Sequence, residues 1–318
     1  MKNSRPRIVS LGGGTGLSTL LRGLKKCNAD LSVIVTVTDD GGSSGRLREE
    51  LGVLPPGDIR NCMIALSEDE HLMSRLFRFR FNSEGGLHDH SFGNLFLTAM
   101  AGVTGDFGKA VHLTSEVLAI KGVIYPLTNS NVALAAELED GTLVNGETRI
   151  TASRGRIRRV HLMPSDARAL PDALKAIAEA DLITIGPGSL YTSLIPNMLV
   201  KEVISAIRAS GATRVYIQNI MTQPGETVGY SAADHVKALA DHCGDMLFPN
   251  ILLNNHAPSP SILKKYDAEN AGLVTADFER LRAMGLNIVE CDLLAEDGVI
   301  RHDPDRLARA VFEMGGLK

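Results

Sequence analysis

Ile8, Val9 and Leu11 form a short apolar run that stops at Gly12-Gly13-Gly14-Thr15-Gly16. Leu17, Leu20, Leu21 and Leu24 then recur at i, i+3, i+4 and i+7. A short run followed by a 3.6-residue period predicts a strand, a glycine loop and an amphipathic helix. A second apolar run over 31–38 predicts another strand, ending in the acidic pair Asp39-Asp40 and the small-residue stretch Gly41-Gly42-Ser43-Ser44-Gly45. Helical periodicity, with Gly and Pro at the breaks, covers 58–66, 72–79, 94–102 and 107–118. The period then changes. Residues 125–153 alternate and carry turn signals at Asp140-Gly141 and Asn145-Gly146, which predicts a set of β-hairpins. From Pro171 onward a helix with Leu174 and Ile177 precedes a strand at 182–185, and Gly186-Pro187-Gly188-Ser189 opens another helix. Strands at 214–218, 247–253 and 287–290 then alternate with helices, the last at 305–314. This order predicts one α/β domain over 1–318, a three-layer Rossmann-like arrangement around a mostly parallel sheet, with a helical and β-hairpin insertion at about 56–160.

Composition narrows the class. At 318 residues, 44% apolar and 22% charged, the chain can bury a core of useful size. Aromatic residues make up 4%, there is no Trp, and the net charge is -4, which argues against nucleic acid as a partner. Arg154, Arg156, Arg158 and Arg159 read as a solvated strand face. No apolar run is long enough for a membrane span, and no apolar segment precedes the first strand, so no signal peptide is expected. Cys27, Cys62, Cys243 and Cys291 are scattered without a Cys-x-x-Cys pair, so free thiols and a cytoplasmic location are expected.

The loops carry the candidate chemistry. Phosphate recognition needs backbone N–H groups at close range. Gly12, Gly13, Gly14 and Gly16 clear that space, a helix N-terminus adds donors, and Thr15 adds a hydroxyl or a cap. The spacing is not G-x-G-x-x-G, whose glycine places fall on Gly14, Gly16 and Thr19, and it is not a Walker loop. Without a ligand the stretch would be a tight turn only; the flanking strand and helix favour phosphate. Asp39 or Asp40 could accept from ribose hydroxyls, hold Mg²⁺ beside a phosphate, take a proton, or simply cap the next turn. Gly41 to Gly45 formally match G-x-S-x-G with Ser43 as nucleophile, but no oxyanion motif stands out, and a substrate loop is the better reading. Gly186, Gly188 and Ser189 repeat the logic of the first loop, with Tyr191 placed to stack on a base or sugar. His88-Asp89-His90 lacks a further ligand at helical spacing, so a histidine bonded to backbone is expected there. Asn94 is read as opening a helix and aiming its amide at a ligand.

Together, 12–16, 39–47, Pro56-Gly57-Asp58-Ile59-Arg60, 90–95, 186–197 and Met221-Thr222-Gln223-Pro224-Gly225-Glu226-Thr227 resemble the YvcK family of bacterial gluconeogenesis factors. The likeness covers nearly the whole chain. That family belongs to a superfamily similar to CofD, the 2-phospho-L-lactate transferase of deazaflavin coenzyme synthesis. The resemblance implies a CofD-like fold with a nucleotide-diphosphate site. It also implies a non-catalytic role in cell shape and wall synthesis on gluconeogenic carbon sources, with UDP-N-acetylglucosamine as ligand. Tyr266 and Arg301 match the family's ligand-binding tyrosine and arginine. A phenol ring can pack on uracil or sugar, and a guanidinium can grip a diphosphate. One position departs from the pattern: Asp89 stands where the family tends to have glycine, which questions a tight turn there.

Two function classes follow. A UDP-sugar-binding regulator would hold uridine diphosphate over the first loop and Gly186 to Ser189, with Asn94, Tyr266 and Arg301 completing the pocket. A CofD-type transferase would move a phosphoryl-containing group from a nucleotide donor, with Asp39 or Asp40 on Mg²⁺. NAD is a third candidate ligand, because the opening unit is Rossmann-like. The regulatory protein partners are unidentified, and a homo-oligomer is left open.

Overall fold

The computed structural model describes residues 5–82 and 84–317, so residues 1–4 of the basic start lie outside it. β1 (Arg7–Gly12) leads through α1 (Gly14–Leu24) to β2 (Asp30–Val35). Five helices follow: α2 (Gly42–Leu51), α3 (Gly57–Leu66), α4 (Glu70–Phe77), α5 (Phe92–Thr104) and α6 (Phe107–Val117). β3 (Val123–Pro126) comes next. β4 (Ala133–Leu138), β5 (Leu143–Asn145), α7 (Glu147–Ser153) and β6 (Ile157–Met163) make a small excursion. The second half runs α8 (Pro171–Ala178), β7 (Leu182–Ile185), α9 (Ile195–Met198), α10 (Lys201–Ala209), β8 (Thr213–Ile217), α11 (Ala232–Cys243) and β9 (Asn250–Asn254). It closes with α12 (Pro260–Ala268), α13 (Phe278–Ala283), β10 (Asn287–Cys291), the hairpin β11 (Leu294–Glu296) and β12 (Ile300–His302), and α14 (Pro304–Met314).

The main sheet has the order β10-β9-β8-β7-β1-β2-β3, and every pairing in it is parallel. Parallel strands covered on both faces read as unbroken apolar runs. β7, Leu-Ile-Thr-Ile, is buried at all four positions, and Ile8, Val9 and Leu11 of β1 are buried beside it. Leu17, Leu20, Leu21 and Leu24 are buried together on the inner face of α1, which packs on α3 and α14. The chain winds outward from β1 to β3 on one side and from β7 to β10 on the other. Right-handed crossovers therefore put helices on opposite faces, and the winding reverses between β1 and β7. No helix among the described residues is long and apolar enough to cross a membrane.

Several sequence expectations are corrected. Residues 125–153 are not one hairpin array. Tyr125 belongs to β3 at the edge of the main sheet, and residues 147–153 are helical. The antiparallel sheet is instead β5-β4-β6, and Ile157–Met163 completes it. The span 56–160 thus contains a strand of the main sheet between its helical and hairpin parts. The strand expected over 247–253 is Asn250–Asn254. The hairpin β11–β12 was not anticipated: three-residue strands are too short to show a period. Arg156, just before β6, and Arg158, on its exposed side, pair with Glu139 and Glu137, as solvated residues would.

Candidate functional site

Where the winding reverses, the loops after β1 and β7 diverge and leave a crevice beyond the carboxyl ends of the strands. A cavity of about 280 Å³ lies there. Gly14, Thr15 and Gly16 line it from one loop, Pro187, Gly188 and Ser189 from the other, and 219–224 after β8 form a third wall. Tyr266 from α12 and Ile300, Arg301 and His302 from β12 close it. Seven residues proposed from sequence therefore face one space: Gly14, Thr15, Gly16, Gly188, Ser189, Tyr266 and Arg301.

The first turn of α1 supplies donors. The N–H of Gly14 is taken by Asp58 Oδ2 at 2.8 Å, while those of Thr15 and Gly16 have no acceptor among the described residues. Free N–H groups at a helix start attract an anion. Gly16 serves a purpose the sequence did not reveal. A Cβ there would lie 2.4 Å from the carbonyl oxygen of Pro187, so its missing side chain lets the two loops meet. Asn219 fixes the second loop, accepting from the Gly188 N–H at 3.0 Å and donating to the Gly188 carbonyl at 2.7 Å. Gln223 donates to Ser189 Oγ at 2.7 Å. Asn219 escaped sequence reasoning, and Gln223 entered only as part of the Met221–Thr227 motif, because an amide side chain gives no local signal of what it will reach.

The Tyr266 hydroxyl accepts from the N–H of Ile300 at 2.8 Å, so the tyrosine anchors the hairpin that carries Arg301. His302 is buried in the cavity wall, and burial lowers its pKa to about 4. It is therefore a neutral imidazole at pH 7, and its Nε2 has no partner among the described residues.

The remaining proposed residues do not line this cavity. Gly12 ends β1, Gly13 precedes α1, and Gly186 holds the turn after β7 at φ +87. Tyr191 is buried and bonds to the Tyr230 hydroxyl at 2.8 Å, so its ring is not presented for stacking. The segment after Ser189 starts as a π-helical turn rather than an α-helix.

Asp39 and Asn94 belong to a second cluster, on the β2 side of Gly13-Gly14. Asp40 is occupied: its Oδ1 accepts from Thr148 N–H at 2.8 Å and Thr148 Oγ1 at 2.7 Å. The carboxylates that matter beside Asp39 are Asp58 and Glu147, neither of which sequence reasoning assigned a role. Burial, then the charge of Asp39, raises Asp58 to about 6. Burial, then Asp39 and Asp58, raises Glu147 to about 9. Asp39 is itself raised by burial, against the Gly41 N–H and the Ser44 hydroxyl. Their significance arises from convergence in space, which no spacing along the chain encodes.

Asn94 does not open its helix. Ser91 caps α5, and Asn94 lies three residues inside, buried, donating to Ser43 Oγ at 3.1 Å and Ser44 Oγ at 3.4 Å. Ser43 Oγ lies 2.9 Å from His90 Nδ1, so His90 bonds to a side chain rather than to the expected backbone partner. Ser43 is only 3% exposed, so its hydroxyl is not presented to a substrate although His90 lies within hydrogen-bond reach. Asp89 keeps the tight turn without glycine, adopting φ 58, a conformation aspartate tolerates better than most residues.

Mg²⁺ is the cation the fold family implies. Among the described residues no group of three His, Cys, Asp or Glu side chains is arranged to hold a metal. The raising of Asp58 by burial and by the charge of Asp39 suits the other kind of Mg²⁺ site, in which one or two carboxylates act with water and ligand phosphate.

Residues 8–294 match the family described as 2-phospho-L-lactate transferase CofD. The chain is 49% identical over 311 residues to the gluconeogenesis factor of Bacillus subtilis, covering 98% of each. It is 46% identical over 310 residues to that of Halalkalibacterium halodurans, covering 97% of this chain and 96% of the relative. A crystallised Bacillus halodurans protein superposes with a TM-score of 0.94 at 46% identity, covering 97% of this chain and 99% of the other.

Proposed function

The chain belongs to the CofD family, alongside bacterial gluconeogenesis factors, and on that premise we propose that it is a cytoplasmic UDP-sugar-binding regulator acting on cell shape and wall synthesis during gluconeogenic growth. One observation carries the reading: the free N–H groups of α1 and Arg301 line the same cavity at the switch point of the sheet. That arrangement suits a diphosphate, with the sugar and base reaching toward the amide-bearing 219–224 wall and Tyr266. UDP-N-acetylglucosamine is the ligand we assign to it. Calorimetry tests this directly: saturable binding is expected, and a flat titration rejects the assignment. NAD displacing the UDP-sugar would favour a dinucleotide instead.

A second reading, a CofD-type transferase, rests on Asp39 and Asp58 just behind Gly14. These two would hold Mg²⁺, which would neutralise phosphate charge when bound. Incubation with nucleotide donors and Mg²⁺, followed by mass spectrometry, decides between the readings: release of a nucleoside monophosphate is expected of the transferase and not of the regulator.

A further inference from the structure

We propose that Arg60, Arg78 and Arg80, gathered where the end of α4 meets the start of α5, receive a small oxyanion, a phosphate or carboxylate group, outside the nucleotide cavity. None of the three lines that cavity. Arg60, on α3, is part-buried, yet every partner of its guanidinium is neutral. Nη1 donates to Ser91 Oγ at 2.7 Å and Asn94 Oδ1 at 2.9 Å, and Nη2 donates to Asn61 Oδ1 at 3.2 Å. Its Nε is buried with no acceptor among the described residues. A guanidinium taken from water is ordinarily matched by a carboxylate in contact, and Arg60 makes no ion pair within 4.0 Å among the described residues.

The surroundings add positive charge. Arg80 bridges by its backbone to Ser91, the residue that Arg60 grips, and Arg78 caps the C-terminus of α4. The charges of Arg78 and Arg80, after burial, lower the pKa of Arg60. Arg80 has a surface partner in Asp89 at 3.2 Å; Arg78 has no ion pair among the described residues. The first turn of α5 carries no acidic side chain, so its positive end faces the same cluster. Gly93 is shaped for this arrangement: a Cβ there would lie 2.9 Å from the Arg60 stem and 2.6 Å from Phe77. Asp58 and Asp39 oppose the effect of the neighbouring arginines on Arg60 without pairing with it, and an oxyanion accepting from two guanidiniums would offset the remaining cost through charge-assisted hydrogen bonds.

The test is a titration with inorganic phosphate, and separately with acetate, at fixed ionic strength, followed by amide NMR with and without saturating UDP. At least one anion is expected to saturate, shifting the Gly93 amide whether or not UDP is present. Affinity should fall about tenfold in Arg60→Gln and about threefold in Arg78→Ala, and stay unchanged in Arg301→Ala. Arg78 is exposed, so Arg78→Ala leaves folding intact and decides the matter if Arg60→Gln does not fold. Binding of neither anion, binding indifferent to Arg78→Ala, or binding lost in Arg301→Ala alone overturns the proposal. The last outcome would place the phosphate in the nucleotide cavity and leave that reading standing.

Discussion

At Gly16 a single missing methyl group holds two loops together. Gly16→Ala would press a Cβ to 2.4 Å from the Pro187 carbonyl, which cannot rotate away. We expect a loss of about 1–3 kcal/mol in urea unfolding, with weakened nucleotide binding because the N–H cradle moves. Unchanged stability would mean that the loops part freely. Glu147 gives a pH prediction. Its folded pKa of about 9 stands above the ordinary 4.5, so between those limits the folded chain binds more protons than the unfolded one, and this contribution to stability is lost as pH rises. Asp58 acts the same way from 3.8 to about 6, while the lowered pKa of His302 acts oppositely, in the acid range only. The window from pH 7 to 8 lies above Asp58 and below the thiols, which burial also raises from 9.0, so the Glu147 contribution is read there by comparison with its own variant. The melting temperature should fall across it, and Glu147→Gln should flatten the fall; an equal slope in both proteins contradicts the assignment. At this scale the glycines and Thr15 were legible because they stand between a strand and a helix. Asp58, Glu147 and Asn219 were not, because each matters through a contact with a distant segment.

Among the elements, the β11–β12 hairpin borders the cavity with only a three-residue pairing between its strands. Tyr266 holds it by accepting from Ile300. Tyr266→Phe keeps the ring and removes only that acceptor, so UDP-N-acetylglucosamine affinity should fall by about 0.5–1.5 kcal/mol. If the tyrosine acted by stacking alone, the variant would bind like the native protein. Arg301→Ala removes the charged partner we assign to the diphosphate and should cost about 1.5–3 kcal/mol in calorimetry, without altering the fold. The α1 and β7 elements were readable from their own residues, with a leucine period in one and an apolar run interrupted only by Thr184 in the other. The hairpin was not, and Tyr266 and Arg301 came from the family resemblance rather than from any pattern in 260–302.

In the whole molecule the cavity joins segments that are far apart in sequence: 14–19, 187–189, 219–224, 266–271 and 300–302. The parallel sheet was legible because strand and helix periods alternate, but the strand order, and with it the switch point between β1 and β7, is set by pairing that the pattern does not encode. A ligand that touches all five segments stabilises their mutual arrangement by mass action. At a free concentration a hundredfold above its dissociation constant this amounts to about 2.7 kcal/mol. The stabilisation should be local as well as global. Amide exchange in 14–19 and in the 294–302 hairpin should slow on adding UDP-N-acetylglucosamine, because those segments open at less cost than the buried strands they border. The β5-β4-β6 sheet contributes no residue to the cavity and should keep its exchange rate beyond the global shift. Arg301→Ala should abolish the slowing in the hairpin first. Protection confined to β5-β4-β6, or absent from both cavity rims, would mean that the ligand binds elsewhere and that the switch-point cavity is not its site.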